Sequence, residues 1–140
     1  MKKNILVLCT GNSCRSQMAE GYLRYFAADA ADIYSAGTEP HGVNPTAVET
    51  MREDGVDISG HTSDHVDTYR DMSFDFVITV CDHAAENCPC FPGTARTFHR
   101  NFPDPSKVSG TEEEIRHAFV TVRRSLKEYC AAFVQEYLTD

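Results

Sequence analysis

The sequence predicts an α/β fold: one domain in which a parallel sheet of about four strands carries helices on both faces. Three observations carry this. Ile5-Leu6-Val7-Leu8 and Phe74 to Val80 (FDFVITV) are near-continuous apolar runs, the mark of strands buried on both faces. Helical patterns fall between the strand patterns, as crossover helices do between parallel strands. The chain has 140 residues, enough for one core and short for two. Residues 1–140 therefore read as a single domain, with no linker, repeat or low-complexity tract.

The elements follow in order. Ile5 to Leu8 is the first strand, and the polar stretch Thr10 to Ser13 is a loop. Met18, Tyr22 and Phe26 then recur at helical spacing. Asp32 to Ala36 is a second short strand, ending at Gly37. Asn44 suits an N-cap and Pro45 the first helical position. Ala47, Val48 and Met51 give that helix its apolar face, and Gly55 can end it. Phe74 to Val80 is the third strand, with Cys81 at its carboxyl end, and Asp82 to Asn87 is material for a short helix. Arg96 to Phe98 is a candidate fourth strand. Thr111 and Glu114 form a capping box. Behind it a long helix places Ile115, Phe119, Val122, Leu126, Tyr129 and Phe133 on one stripe. Parallel sheets bind ligands beyond the carboxyl ends of their strands. Cys9 and Cys81 both fall at such ends.

Charge and cysteine usage exclude several classes. Against 13 Lys and Arg stand 21 Asp and Glu, a net charge of -8. A broad nucleic-acid footprint or a polybasic membrane surface needs the opposite balance. An anionic ligand must be held by one local positive pocket against the overall field. The apolar run Ile5 to Cys9 is too short for a signal-peptide core or a membrane span. The six cysteines, at 9, 14, 81, 88, 90 and 130, are clustered rather than spread as a disulfide framework. A reducing, cytoplasmic location is expected, where clustered cysteines serve catalysis or metal binding.

Cys9-Thr10-Gly11-Asn12-Ser13-Cys14-Arg15-Ser16 runs from strand end to helix start. Such a loop turns successive backbone N–H groups inward as a nest for a tetrahedral oxyanion, and the helix N-terminus adds positive potential. Gly11 is expected to supply unusual backbone angles, and Arg15 a bidentate fork. The same field favours a thiolate, and hence a nucleophile, at Cys9, with Ser16 placed to donate to its sulfur.

At this point the chain resembles a known family. C-x5-R-S after an N-terminal strand, with a later Asp-Pro, is similar to the low-molecular-weight protein tyrosine phosphatase fold. The finer resemblance is to arsenate reductases of the thioredoxin-coupled class built on that fold. It rests on CTGNSCRSQMAEG (9–21), YSAG (34–37), HGVNP (41–45), DISGHTSD (57–64), VITVCDHAAENCP (77–89) and PDP (103–105). Phosphatases of the family usually carry an apolar residue where Ser13 stands and proline where Gln17 stands. They also tend to have tyrosine shortly after the Asp-Pro, where Ser106 and Lys107 follow here.

The resemblance implies a relay. Cys9 attacks arsenate; Cys81 attacks Cys9 and releases arsenite; Cys88 attacks Cys81; an external dithiol such as thioredoxin reduces the final disulfide. Phosphate and sulfate are then competing oxyanions. Reduction needs two electrons, which a dithiol supplies on becoming a disulfide. Geometry adds a constraint: seven residues of helix rise about 10.5 Å, whereas disulfide-bonded Cα atoms lie within about 7 Å. A Cys81–Cys88 bond therefore requires residues 82–88 to unwind. Cys90 departs from the family pattern, as an alternative resolving thiol to Cys88. Cys14, outside its place in the anion loop, and Cys130 read as structural.

The resemblance also assigns general-acid duty to Asp104, which Pro103 and Pro105 hold in a stiff loop. It implies a potassium ion beside the anion loop on the hard oxygens of Asn12, Glu20, Ser35 and Asp64, with no other cofactor required. His61 is a candidate for tuning local charge, while His41, His65 and His117 carry no reading. Three alternatives stand beside the reductase. One is a phosphomonoester or phosphotyrosine phosphatase using Cys9 and Asp104. Another is a zinc site from Cys81, His83, Cys88 and Cys90 near His99. The last is a non-catalytic oxyanion or metal sensor, which would have no use for a proline-clamped acid.

Overall fold

The computed structural model describes residues 2–138. Strand β1 (Lys3–Cys9) forms the centre of a four-stranded parallel sheet with β2 (Ala31–Gly37), β3 (Phe76–Thr79) and β4 (Arg96–His99). The order is β2-β1-β3-β4, every pair parallel. The helices are α1 (Arg15–Ala27), α2 (Pro45–Arg52), α3 (Asp82–Glu86) and α4 (Glu112–Tyr137). The order reverses between β2 and β3, both of which flank β1, so the crevice beyond β1 is where a ligand is expected.

Register explains how the faces are covered. Ile5 pairs with Ile33 and Phe76, and Ile78 with Phe98, so these side chains share one face. Phe76 and Phe98 pack on Phe133 and Tyr137 of α4, and α1 joins β2 on the same face through Ser35 and Glu20. Leu6, Tyr34, Val77 and Thr97 point the other way. That second face receives less helix than the sequence suggests. It has the five-residue α3, and a 3-10 turn at Val66–Tyr69 that brings Tyr69 to Tyr34 and Phe74, with Phe91 closing the ring cluster. Ile5, Leu6 and Val7 are nonetheless fully buried, as a two-sided strand requires.

The capping motifs act as local chemistry dictates. Asn44 Oδ1 accepts from the Thr46 and Ala47 amides at 2.8 and 3.2 Å, with Pro45 at the first helical position. Thr111 Oγ1 accepts from the Glu114 amide while Glu114 Oε1 accepts from the Thr111 amide. The third strand is shorter than its apolar run. Phe74 leaves the ladder for the aromatic cluster, and the Asp75 side chain accepts from the Asn4 amide at 2.8 Å. Among the described residues no helix is long and apolar enough to cross a membrane.

Candidate active site

The loop after β1 closes over the start of α1. Asn12, not Gly11, carries the left-handed backbone, with φ +46°. Asparagine is among the few side chains that tolerate it. Gly11 is needed instead for close approach: a Cβ there would meet His41 Cδ2 at 2.8 Å. Gly37, at the end of β2, is tighter still. A Cβ there would fall 2.5 Å from the Thr10 carbonyl oxygen and 2.8 Å from the Asn12 nitrogen. The second strand thus presses its glycine against the back of the loop.

Buried hydrogen bonds fix this shape. Asn12 Nδ2 donates to Ser16 Oγ and Ser35 Oγ, both at 2.9 Å, and Asn12 Oδ1 accepts from the Asp64 amide at 2.8 Å. Gln17 Nε2 donates to the Asn12 and Thr62 carbonyls, and its Oε1 lies 3.0 Å from His61 Nδ1. Ser16, expected to donate to Cys9, is drawn into this network as an acceptor. Cys9 finds its partners in the Cys81 thiol and the Thr10 amide.

The four residues implied for potassium lie together but face one another. Ser35 donates to Glu20 Oε1 at 2.5 Å, and Asp64 Oδ2 accepts from Thr62 at 2.8 Å. Asn12 offers its amide nitrogen to Ser35, and its oxygen is committed to the Asp64 amide. Arg24 Nε meets Glu20 Oε2 at 2.8 Å, and His61 Nε2 lies 3.6 Å from the same oxygen. Burial holds His61 below the ordinary imidazole range, with Glu20 opposing the shift. So arranged, the donor set does not fit a potassium cage, because an N–H points where a cation needs an oxygen and Arg24 already supplies positive charge.

A cavity of about 490 Å³ opens at the loop, lined by Cys9, Thr10, Gly11, Ser13, Cys14 and Arg15 and closed by Glu39, His41, Asp104, Ser106 and Lys107. Arg15 is anchored from behind: Nη1 donates to the Phe102 carbonyl at 3.0 Å, and Nη2 lies 3.4 Å from Asp104 Oδ2. Asp104 in turn caps the turn Pro105–Lys107, its Oδ1 accepting from the Ser106 amide and hydroxyl at 3.0 and 2.6 Å. The sequence thus places Cys9, Arg15 and Asp104 at one cavity, as expected. Glu39, His41 and Lys107 were not anticipated. They arrive on loops after β2 and β4, and the rule that ligands sit beyond strand ends was the available signal for them.

Cys81 ends the segment after β3, beside Cys9, and is buried. Its sulfur accepts from the Ala84 amide at 3.4 Å as the N-cap of α3, and lies 3.2 Å from Thr10 Oγ1. The two thiols are close enough to share one proton, so they titrate as a pair. The donor Cys9, above all, pushes Cys81 down to about 5, helped by Thr10, Ala84 and the Arg15 charge against the cost of burial. Sharing with Cys81, and then burial, hold Cys9 above the ordinary thiol range, against the pull of Arg15 and the Thr10 amide. The anion nest faces the cavity, whereas donors converge on Cys81. Burial raises Cys14 to about 11 and takes Cys130 further up, which disfavours the thiolate at both.

All six cysteines are free. Cys88 lies beyond the C-terminus of α3, half-buried, with its thiol directed to the Pro89 carbonyl at 3.5 Å, and Cys90 is exposed. Neither lines the anion cavity. Among the described residues no three or more His, Cys, Asp or Glu gather as metal ligands, so Cys81, His83, Cys88 and Cys90 form no zinc site.

A cysteine at the mouth of an oxyanion loop, an arginine beneath it and an Asp-Pro at its rim define a phosphatase-type centre. The model of the low molecular weight phosphotyrosine protein phosphatase family matches residues 4–139, and the chain belongs to that family. Within it, the chain is 48% identical over 134 residues to the arsenate reductase of Halalkalibacterium halodurans, covering 96% of each chain. It is 47% identical over 131 residues to the arsenate reductase of Bacillus subtilis, covering 91% of this chain and 94% of that one. Among solved structures, an arsenate reductase in its oxidized state aligns with a TM-score of 0.81 at 33% identity, covering 96% of this chain and 98% of the other.

Proposed function

We propose that the chain reduces arsenate to arsenite with its own thiols and is re-reduced by an external dithiol, thioredoxin being the partner of fitting chemistry. One observation carries the reading: a second buried thiol, Cys81, stands beside the nucleophile at the neighbouring strand end, 3.2 Å from the Thr10 hydroxyl of the anion loop. Hydrolysis of a phosphate ester has no use for it, because water completes that reaction. Two-electron reduction needs it.

Arsenate binds on the loop amides and Arg15. Cys9 attacks arsenic and Asp104 protonates the departing oxygen. The proton that the two thiols share leaves to solvent or to the arsenate oxygens as the two sulfurs react in turn. Cys81 then attacks the Cys9 sulfur. The electron pair of the sulfur–arsenic bond passes to arsenic, arsenite leaves, and a Cys9–Cys81 disulfide remains. Cys88 attacks Cys81, freeing Cys9 and forming Cys81–Cys88, while Cys90 is the alternative partner at this step. All electrons come from thiols, so the scheme requires no cofactor. Phosphate and sulfate compete for the same amides. The free thiols suit a reducing cytoplasm, and nothing in the scheme calls for nucleic acid or membrane.

The second reading, phosphomonoester hydrolysis, is favoured by Asp104 and Arg15 sharing the cavity with Cys9. The experiment is arsenate-dependent oxidation of a thioredoxin system run beside hydrolysis of an aryl phosphate. Arsenate-dependent turnover exceeding hydrolysis supports the reductase. Hydrolysis alone would leave the phosphatase.

A further inference from the structure

The segment between α3 and β4 holds two cysteines, and the three-thiol scheme uses only one. Cys88, Pro89 and Cys90 line a second cavity of about 500 Å³, bounded by Val77, Thr79 and Thr97 among others on the sparsely covered side of the sheet. No residue lines both this cavity and the anion cavity. The two thiols therefore share a face to solvent from which Cys9 is hidden. They also sense one another: burial first, and then the neighbouring Cys90, raise Cys88 above the ordinary thiol range. The Cys88 thiol leans toward the Pro89 carbonyl, on the Cys90 side.

We propose that Cys90 is a fourth thiol of the relay, attacking Cys88 of the Cys81–Cys88 disulfide to leave a Cys88–Cys90 disulfide on this second face. This rests on the reductase reading. The exchange balances: the Cys90 thiolate, its proton lost to solvent, bonds to the Cys88 sulfur. The Cys81–Cys88 bond breaks and Cys81 departs as a thiolate. Nothing is oxidised or reduced overall, and the oxidised pair moves outward by one step. Residues two apart in an extended chain have Cα atoms at most about 7 Å apart. That upper limit already borders the roughly 4.4–6.8 Å that a disulfide spans, so a small backbone adjustment suffices. Cys81 is a favourable leaving group, since low-pKa thiols depart faster and the fold stabilises its thiolate through Thr10 and Ala84. The exchange also frees residues 82–87 to refold as α3 while the chain is still oxidised. A Cys81–Cys88 bond forbids that.

The test uses the full chain with one equivalent of arsenate and no reductant, followed by thiol trapping with iodoacetamide and disulfide mapping. The expected result is release of arsenite with Cys81 alkylated and Cys88 linked to Cys90. Cys90→Ser should release the same single equivalent but leave Cys81 linked to Cys88 and protected from alkylation. Arsenite release with Cys90 alkylated in the wild-type chain would overturn the fourth step and keep the reductase. A mapped Cys81–Cys90 bond would also overturn it, placing Cys90 in the role of Cys88. Absence of arsenite in the wild-type reaction would overturn the reductase reading itself.

Discussion

Gly37→Ala tests whether the sheet, not only the loop sequence, shapes the anion site. The added Cβ would sit 2.5 Å from the Thr10 carbonyl oxygen and 2.8 Å from the Asn12 nitrogen. Both neighbours are backbone atoms, so no side chain can swing aside. Ordinary contact is about 3.5 Å, so the loop and β2 must part by about 1 Å. Overpacking of this kind costs about 1–3 kcal/mol, a Tm loss of about 3–12 °C for a chain of this size. The displaced amides are those that cradle the oxyanion, and misplacement by about 1 Å can cost about a hundredfold in rate. We expect kcat/KM for arsenate and for an aryl phosphate to fall together, since both substrates use the same amides. Gly60→Ala is the control, because a Cβ there meets nothing within 4 Å. Steady-state kinetics on both substrates, with calorimetric Tm, decide it. A Gly37→Ala chain matching the Gly60→Ala chain in both measurements would refute the idea that β2 buttresses the loop.

Four further outcomes are expected. Cys9→Ser should abolish reduction and hydrolysis together while phosphate still binds by calorimetry, and residual turnover would remove Cys9 as the nucleophile. Cys81→Ser should stop multiple-turnover arsenate reduction and spare most aryl-phosphate hydrolysis, whereas a parallel loss of both would make Cys81 structural. Thiolate absorbance should show the first proton leaving the Cys9–Cys81 pair near pH 5. Thr10→Val removes a donor to the thiolate and should move that midpoint upward, and an unmoved midpoint would discard the Thr10 contact. In the Cys90→Ser chain, where the Cys81–Cys88 bond is the end point, hydrogen exchange should show amide protection in residues 84–87 lost on oxidation by arsenate, and retained protection alongside a mapped Cys81–Cys88 bond would contradict the unwinding.

What could be read from the sequence follows from how local each determinant is. The caps at Asn44 and Thr111 are hydrogen bonds within three residues, and both form as read. The anion loop is contiguous, so its members were legible as a unit. Its internal division of labour was not. Whether Gly11 or Asn12 takes the positive φ depends on His41 and Gly37 packing against the loop from another strand. Phe74 read as strand because apolar character cannot distinguish a ladder position from an aromatic cluster. The 3-10 turns at Ala28–Ala30, Val66–Tyr69 and Pro105–Lys107 are too short to leave a periodic signal. Glu39, His41 and Lys107 reach the cavity through strand order, which no local pattern encodes. Donors from Thr10 and α3 converge on the Cys81 sulfur from separate elements, which no local pattern encodes either.

That convergence also couples the chemistry to the motion of α3. Cys81 is at once the proposed resolving thiol and the N-cap of α3, accepting from the Ala84 amide. A helix of five residues is far below the length at which helices persist alone, so α3 depends on its tethers. One tether is the Cys81 sulfur. The others are Asn101 Oδ1, which accepts from the Asp82 amide at 3.1 Å, and His99, which spans Asp82 and Thr79 at 2.7 and 2.8 Å. A thiolate is a strong acceptor for an orphan amide at a helix start; a disulfide sulfur carries no charge and is a weak one. When Cys81 attacks Cys9 its sulfur becomes a disulfide sulfur and caps the helix less well. The step that releases arsenite therefore loosens the element that must move for Cys88 to reach Cys81. In the proposed scheme no separate trigger is required, because the cap weakens only when the sulfur that provides it has reacted.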